Sequence, residues 1–363
     1  MTMAPRASAL DRVRHAIREL SGYYDAHPHA KVKLDQNENA YDFPDELKLE
    51  TFERARAERW ERYYAGRPPE LLGGLSALTD WPAAGIIVGN GSNELLMATL
   101  LATAAVGGRV LIVQPSFLLY GRLCRILGAE IVGVPLDAHL AFDPGRIRRA
   151  IERIDPSLVL ICSPNNPTGA SIDPPGLRTI LDGYAGVALI DEAYHEFSGT
   201  NCRWLLDEYD NVVLLRTFSK AMSLAGLRVG YLLGQPPLVE EILKAKLPFS
   251  LNPVSCQAAL TALRHRTILR SRVETIVAER DRVIAMLRAQ PGIVVYPSDA
   301  NFILLRVPGR GDAVIADLAE RGVRVRKLRG HPLLEDSLRV SVGTPGQNDS
   351  FLTALAASLA ANV

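Results

Sequence analysis

The segment Val212-Val213-Leu214-Leu215-Arg216-Thr217-Phe218-Ser219-Lys220 decides how this chain is read. Its first half is an apolar, branched run, the pattern of a strand buried on both faces. Its second half turns polar and ends on a lysine that follows a serine. Arg228 lies two helical turns further on. A lysine held between a hydroxyl and a basic residue in a polar crevice suits an aldehyde ligand. Neighbouring positive charge disfavours the ammonium form and frees the amine to form a Schiff base. A lone lysine is most often a solvated surface residue. Asn166-Pro167-Thr168-Gly169 and Asp191-Glu192-Ala193-Tyr194 upstream set this one apart.

Working outward, the texture from residue 84 alternates short apolar runs with helical stretches. The runs are Ile86-Ile87-Val88, Val110–Val113, Glu130–Val134, Leu158–Ile161, Val187–Ile190 and Val212–Leu215. They predict an α/β domain with a largely parallel sheet. Glu46–Trp60 has a charged amphipathic pattern, and Asp11–Leu20 reads as a short helix. Tyr23–Pro44 is polar and irregular. Pro248–Pro253 is a turn-rich boundary, and Cys256–Ala289 beyond it reads as one long helix. Ile293–Tyr296, Phe302–Val307, Val323–Val325 and Leu338–Val342 are strand-like, and Asp349–Ala361 closes as a helix. These make a smaller α+β domain. The expected division is an N-terminal arm with part of the small domain at 1–45, a large ligand-binding domain at 46–252, and the small domain at 253–363.

The chain has 363 residues, 48% hydrophobic and 22% charged, with a net charge of +1. Near-neutral charge gives no electrostatic reason to expect nucleic acid or an acidic membrane surface. Met1–Leu20 has no apolar core of a secretory signal, and Leu95–Val106 is too short to span a bilayer. Cys124, Cys162, Cys202 and Cys256 are widely spaced and read as buried thiols in a reducing cytoplasm. The histidines form no metal-binding spacing, and His27 and His29 flank a proline as loop residues. No metal is expected.

Ligands of open α/β sheets sit beyond the carboxyl ends of the strands, where the distinctive residues fall. After Ile86-Ile87-Val88 comes Gly89-Asn90-Gly91-Ser92-Asn93-Glu94, a turn that can present Ser92 and Asn93 backbone amides to a phosphate. The plainer reading is an ordinary cap on Ser92 or Asn93. The turn lacks the third glycine of the dinucleotide fingerprint, which weakens a nicotinamide dehydrogenase. Phe117 follows the next strand and could stack on a flat ring or simply fill core. Ser163–Gly169 fixes a loop around Asn166, whose amide can donate to a phenolic oxygen. Asp191 ends a strand, where a carboxylate is costly unless it meets a cation. A protonated pyridine nitrogen would be that cation and a strong electron sink. Tyr194 can serve the phenolic oxygen.

These motifs resemble the fold-type I aminotransferases that use pyridoxal 5′-phosphate, and within them the histidinol-phosphate aminotransferase family. The likeness runs from about Leu34 to the C-terminal helix. It implies that Lys220 holds the cofactor covalently and moves the proton. It pairs Asp191 with the pyridinium, places Asn166 and Tyr194 on the phenolic oxygen, and stacks Phe117 on the ring. The phosphate falls to the backbone at Ser92 and Asn93, to Ser219 and Arg228, and to Tyr63 of the partner subunit in a homodimer. Asp35-Gln36-Asn37-Glu38-Asn39 matches the family's substrate loop, giving Asn37 and Tyr41 as substrate contacts. Two departures stand out. Arg62-Tyr63-Tyr64 replaces the usual Arg-Tyr-Pro, and Asn37-Glu38-Asn39-Ala40-Tyr41 lacks the usual proline.

By the same resemblance Arg339, in Leu338–Thr344, clamps an amino-acid carboxylate, and Arg326 helps bind a substrate phosphate. A planar guanidinium suits both anions. The reaction implied is transamination of L-histidinol phosphate with 2-oxoglutarate, giving imidazole acetol phosphate and L-glutamate. Aromatic amino-acid transamination and decarboxylation of threonine phosphate use related sites and stay open at this point. A ligand-sensing regulator on the same fold would append a DNA-binding domain, and the N-terminal residues carry no helix-turn-helix pattern.

Overall fold

The computed structural model describes residues 8–22 and 30–361; His27, His29 and most of the start of the Tyr23–Pro44 segment lie outside them. The first strand, β1 (Val32–Leu34), sits within the segment that reads as irregular. Then come β2 (Ile86–Asn90), β3 (Arg109–Gln114), β4 (Glu130–Pro135), β5 (Leu158–Cys162), β6 (Val187–Asp191), β7 (Val212–Thr217) and β8 (Val229–Gly234). The four last are β9 (Val294–Val295), β10 (Phe302–Arg306), β11 (Val323–Lys327) and β12 (Ser337–Ser341). Every apolar run read as a strand falls on one.

The larger sheet has seven strands in the order β2-β8-β7-β6-β5-β3-β4. All neighbours are parallel except β8, which runs antiparallel to both β2 and β7. Periodicity does not find β8, because it follows Arg228 directly and merges with the motif. Every residue of β5, β7 and β8 is buried. That is the burial expected of strands covered by helices on both faces. Leu214 is fully buried, and its truncation to alanine would cost about 2–5 kcal/mol. The chain leaves β3 for β4 on one side and reaches β5 on the other. The loops after β3 and β5 therefore diverge at a switch point, where open sheets hold their ligands.

The smaller sheet has the order β1-β11-β12-β10-β9, with β1 parallel to β11 and the rest antiparallel. Its own apolar cluster centres on Phe302, Ile303, Leu305, Val340 and Phe351. The helix expected over Cys256–Ala289 is two helices, Pro253–Arg264 and Arg266–Arg288, broken at His265. His265 Nε2 lies 2.8 Å from Glu50 Oε2 and ties the break to the helix Asp45–Ala57. The first of the two packs Cys256, Ala258 and Ala259 into the same core as Leu47, Leu71 and Leu75 of the larger body. Asp11–Leu20 is likewise two short turns, Ala9–Arg12 and His15–Arg18, rather than one helix. No helix among the described residues is long and apolar enough to cross a membrane.

Candidate active site

A cavity of about 730 Å³ opens where the two sheets meet. Its floor is the row of loops at the carboxyl ends of β2, β3, β5, β6 and β7. Ser92, Asn93, Phe117, Asn166, Asp191, Tyr194, Ser219, Lys220 and Arg228 all line it, and so do Asn37, Arg326 and Arg339 from the smaller body. At the switch point Ser116 Oγ donates to Asn165 Oδ1 at 2.9 Å, and Asn165 Nδ2 donates to the Pro115 carbonyl at 3.0 Å. The two diverging loops are thus tied together, which holds Phe117 and Asn166 in register.

One end of the cavity is built for an anion. The helix Ser92–Thr103 starts from Gly91, at φ +78°, with no side chain capping its first turn. The cap read on Ser92 or Asn93 is therefore not made. A helix start of this kind presents unsatisfied amides and the positive end of the helix dipole. Two glycines let it be approached closely. A Cβ on Gly91 would fall 2.3 Å from Arg228 Nη2, and one on Gly230 would fall 2.3 Å from the Ser92 amide nitrogen. Arg228 Nη1 also donates to Ser219 Oγ at 3.2 Å, and Thr217 Oγ1 donates to the same oxygen at 2.9 Å. Amides, a hydroxyl and a guanidinium thus converge on one spot, a donor set that fits a phosphate.

The other end is acidic. Asp191 is 6% exposed. Burial pushes its carboxyl up to about 6, even though it accepts from the Tyr120 hydroxyl at 2.6 Å and the Ala193 amide at 3.0 Å. Lys220 also favours its charged form. A cationic ring nitrogen would supply the charge this carboxylate is short of. The next residue, Glu192, faces the other way and meets Arg216 at 2.8 Å. Burial alone would raise Glu192, but the Arg216 guanidinium holds it below its ordinary value.

Lys220 stands between these ends. Its Nζ donates to the Gln36 carbonyl at 2.9 Å. Its own carbonyl and that of Ala221 accept Asn39 Nδ2 at 2.9 and 3.1 Å. Burial, then the charges of Arg339 and Arg228, bring its amine down to about 7 against the pull of Glu38. Tyr194 Oη accepts from Asn37 Nδ2 at 3.0 Å and from Asn166 Nδ2 at 3.3 Å. Arg339 is buried on β12 and donates to Asn166 Oδ1 and to the Asp35 carbonyl. Arg326 pairs with Arg339 across β11 and β12 and reaches the cavity from the small-sheet side.

Two expected residues stand elsewhere. Tyr63, expected to act from a partner subunit, is 84% exposed and stacks on Phe249 at 4.8 Å, outside this cavity. Tyr41 does not line the cavity; its ring lies 5.9 Å from the Arg272 guanidinium. Sequence reading missed Tyr120 and Asn39. Tyr120 sits in an apolar helix and reads as core. Asn39 shows its use only once the small-sheet loop is laid against Lys220.

The family profile for "Aminotransferase class I and II" matches residues 29–355. The chain belongs to that class. It is 38% identical to the histidinol-phosphate aminotransferase of Chlorobium phaeovibrioides, covering 94% of this chain and 95% of that one. It is 37% identical to the histidinol-phosphate aminotransferase of Deinococcus radiodurans over 97% of this chain and 98% of that one. Within the class, the chain belongs to the histidinol-phosphate aminotransferase family. Among solved structures, the histidinol-phosphate aminotransferase of Sinorhizobium meliloti, in complex with pyridoxal-5′-phosphate, has the same fold. Its TM-score is 0.88 at 22% identity, over 98% of this chain and 100% of that one.

Proposed function

We propose that this chain is a pyridoxal 5′-phosphate-dependent aminotransferase that transfers the amino group of L-histidinol phosphate to 2-oxoglutarate. One observation carries the reading. A depressed lysine amine, a buried carboxylate and an uncapped helix N-terminus with a guanidinium face a single cavity. Bound there, pyridoxal 5′-phosphate supplies an electrophilic carbon for the amino group and a ring that draws electrons from the carbon bearing it.

The residues divide the remaining work. Ser92 and Asn93 amides, Ser219 and Arg228 bind the cofactor phosphate. Asp191 holds the ring nitrogen protonated. Tyr194 and Asn166 serve the phenolic oxygen, and Phe117 covers the ring. Lys220, near half neutral at pH 7, would hold the cofactor and move the proton taken from the amine-bearing carbon of the substrate to the cofactor carbon that receives the amino group. Arg339 takes the carboxylate of glutamate, and Arg326 the phosphate of histidinol phosphate. The two substrates carry different anions, so the same arginines accept the carboxylates of glutamate in one half-reaction and a phosphate in the other.

The assembly proposed is a homodimer in which Tyr63 of the partner subunit completes the phosphate site. Tyr63 is exposed and stacks on the exposed Phe249, and Trp60 and Leu247, close to them in sequence, are large apolar groups that are also exposed. Such a patch is typical of a subunit interface. The proposed location is the cytoplasm.

The deciding experiment is a half-reaction screen on the purified holoprotein. It follows loss of the cofactor's visible band with histidinol phosphate, phenylalanine, tyrosine and threonine phosphate. Histidinol phosphate should react with the highest specificity constant. A preference for phenylalanine or tyrosine overturns the substrate, and borohydride labelling of a lysine other than Lys220 overturns the site.

A further inference from the structure

Tyr120 lies wholly inside the protein, 1% exposed, in the helix Leu118–Leu127 that follows β3. It belongs to the same apolar cluster as Leu95, Leu123 and Cys124. Packing alone would be served by phenylalanine, because a buried hydroxyl is costly unless it is bonded. This hydroxyl is bonded. It donates to Asp191 Oδ2 at 2.6 Å, the length of a charge-assisted contact. The other carboxylate oxygen accepts the Ala193 amide at 3.0 Å, so both oxygens are held. The same tyrosine meets Phe117 edge-on, with centroids 5.5 Å apart and planes at 88°. Phe117 and Asp191 both line the cavity, and they come from the ends of different strands, Phe117 from the loop after β3 and Asp191 from the last position of β6.

We propose that Tyr120 is a positioning residue that couples the two, aiming the Asp191 carboxylate with its hydroxyl and setting the Phe117 ring with its edge. The proposal rests on the cofactor reading above, since it assigns Tyr120 to the tuning of the cofactor's charge partner. The physics is direct. A donor to a carboxylate favours the charged form, and burial opposes it. Lys220 also favours the charge on Asp191, and Glu192 disfavours it. Cys162 and Tyr194 face the same carboxylate as neutral groups. Removing the hydroxyl takes away the strongest influence that holds the charge.

The test compares wild type, Tyr120→Phe, and a protein with difluorotyrosine placed at position 120. The fluorinated ring keeps the shape and makes the hydroxyl a stronger donor. The first readout is the titration of the Asp191 carboxylate in cofactor-free protein, followed by isotope-edited infrared spectroscopy. Its midpoint should rise by about one pH unit in Tyr120→Phe and fall with difluorotyrosine. The second is steady-state kinetics on the holoenzyme. Tyr120→Phe should lose about ten- to a hundredfold in kcat, with KM changed less than about threefold. A purely structural tyrosine would not move the midpoint in opposite directions in the two proteins. If both midpoints match wild type, or kcat of Tyr120→Phe stays within about twofold, the proposal is overturned. Should wild type itself fail to transaminate, the functional reading falls separately, and the carboxylate titration still decides the coupling.

Discussion

Lys220 should titrate near neutral pH, and the consequence can be measured in two independent ways. Burial and the charges of Arg339 and Arg228 bring its amine from the ordinary 10.5 to about 7. At pH 7.5 about three-quarters of such amines are free, against about one in a thousand for an ordinary lysine. Cofactor capture by the cofactor-free protein, followed by stopped-flow absorbance, should therefore rise between about pH 6 and 8 and level off above. Arg339→Gln removes a neighbouring positive charge and should move that rise to higher pH. The same displacement bears on stability. The folded value lies below the unfolded one, so from about pH 7 to 10.5 the unfolded chain binds more protons and stability increases with pH. Below pH 7 the cost of burying the amine is fully present. Its ceiling is about 5 kcal/mol, from 10.5 to about 7 at about 1.4 kcal/mol per pH unit, and partial exposure lowers it. Lys220→Met, which removes the titrating group, should raise the melting temperature of the cofactor-free protein more at pH 7 than at pH 10. An equal effect at both, or a capture profile still climbing above pH 9, would refute the reasoning.

Asp191→Asn should keep the cofactor through its phosphate contacts but lose several powers of ten in rate. Breaking a buried charge pair costs about 3–5 kcal/mol, and single-turnover kinetics showing less than a tenfold loss would contradict it. Lys220→Ala mixed with an inactive Tyr63 variant should regain part of the activity through hybrid dimers. No recovery after verified subunit exchange would count against a shared site. Arg326→Gln should lower kcat/KM for histidinol phosphate more than for phenylalanine, whereas Arg339→Gln should harm every carboxylate-bearing substrate. Equal losses on both substrates in Arg326→Gln would remove the phosphate assignment.

The sequence by itself determined six of the seven strands of the larger sheet and most of the residues that line the cavity at their ends. Strands buried on both faces are written as continuous apolar runs, and Asp191, Asn166 and Lys220 stand where those runs end. That information is local, so it survives without coordinates. β8 was hidden because it follows Arg228 directly and merges with the motif, and only its pairing with β2 and β7 brings it out. The break at His265 depends on Glu50, more than two hundred residues away in sequence. Tyr120 reads as core because helical spacing reports burial and cannot report which buried carboxylate a hydroxyl will meet. The depressed amine of Lys220 is likewise a tertiary result. It needs Arg339 from the smaller sheet and burial beneath the Gln36–Asn39 loop. Short-range pattern sets elements and their ends, whereas desolvation and long-range contacts set charge, and only the closed fold supplies those.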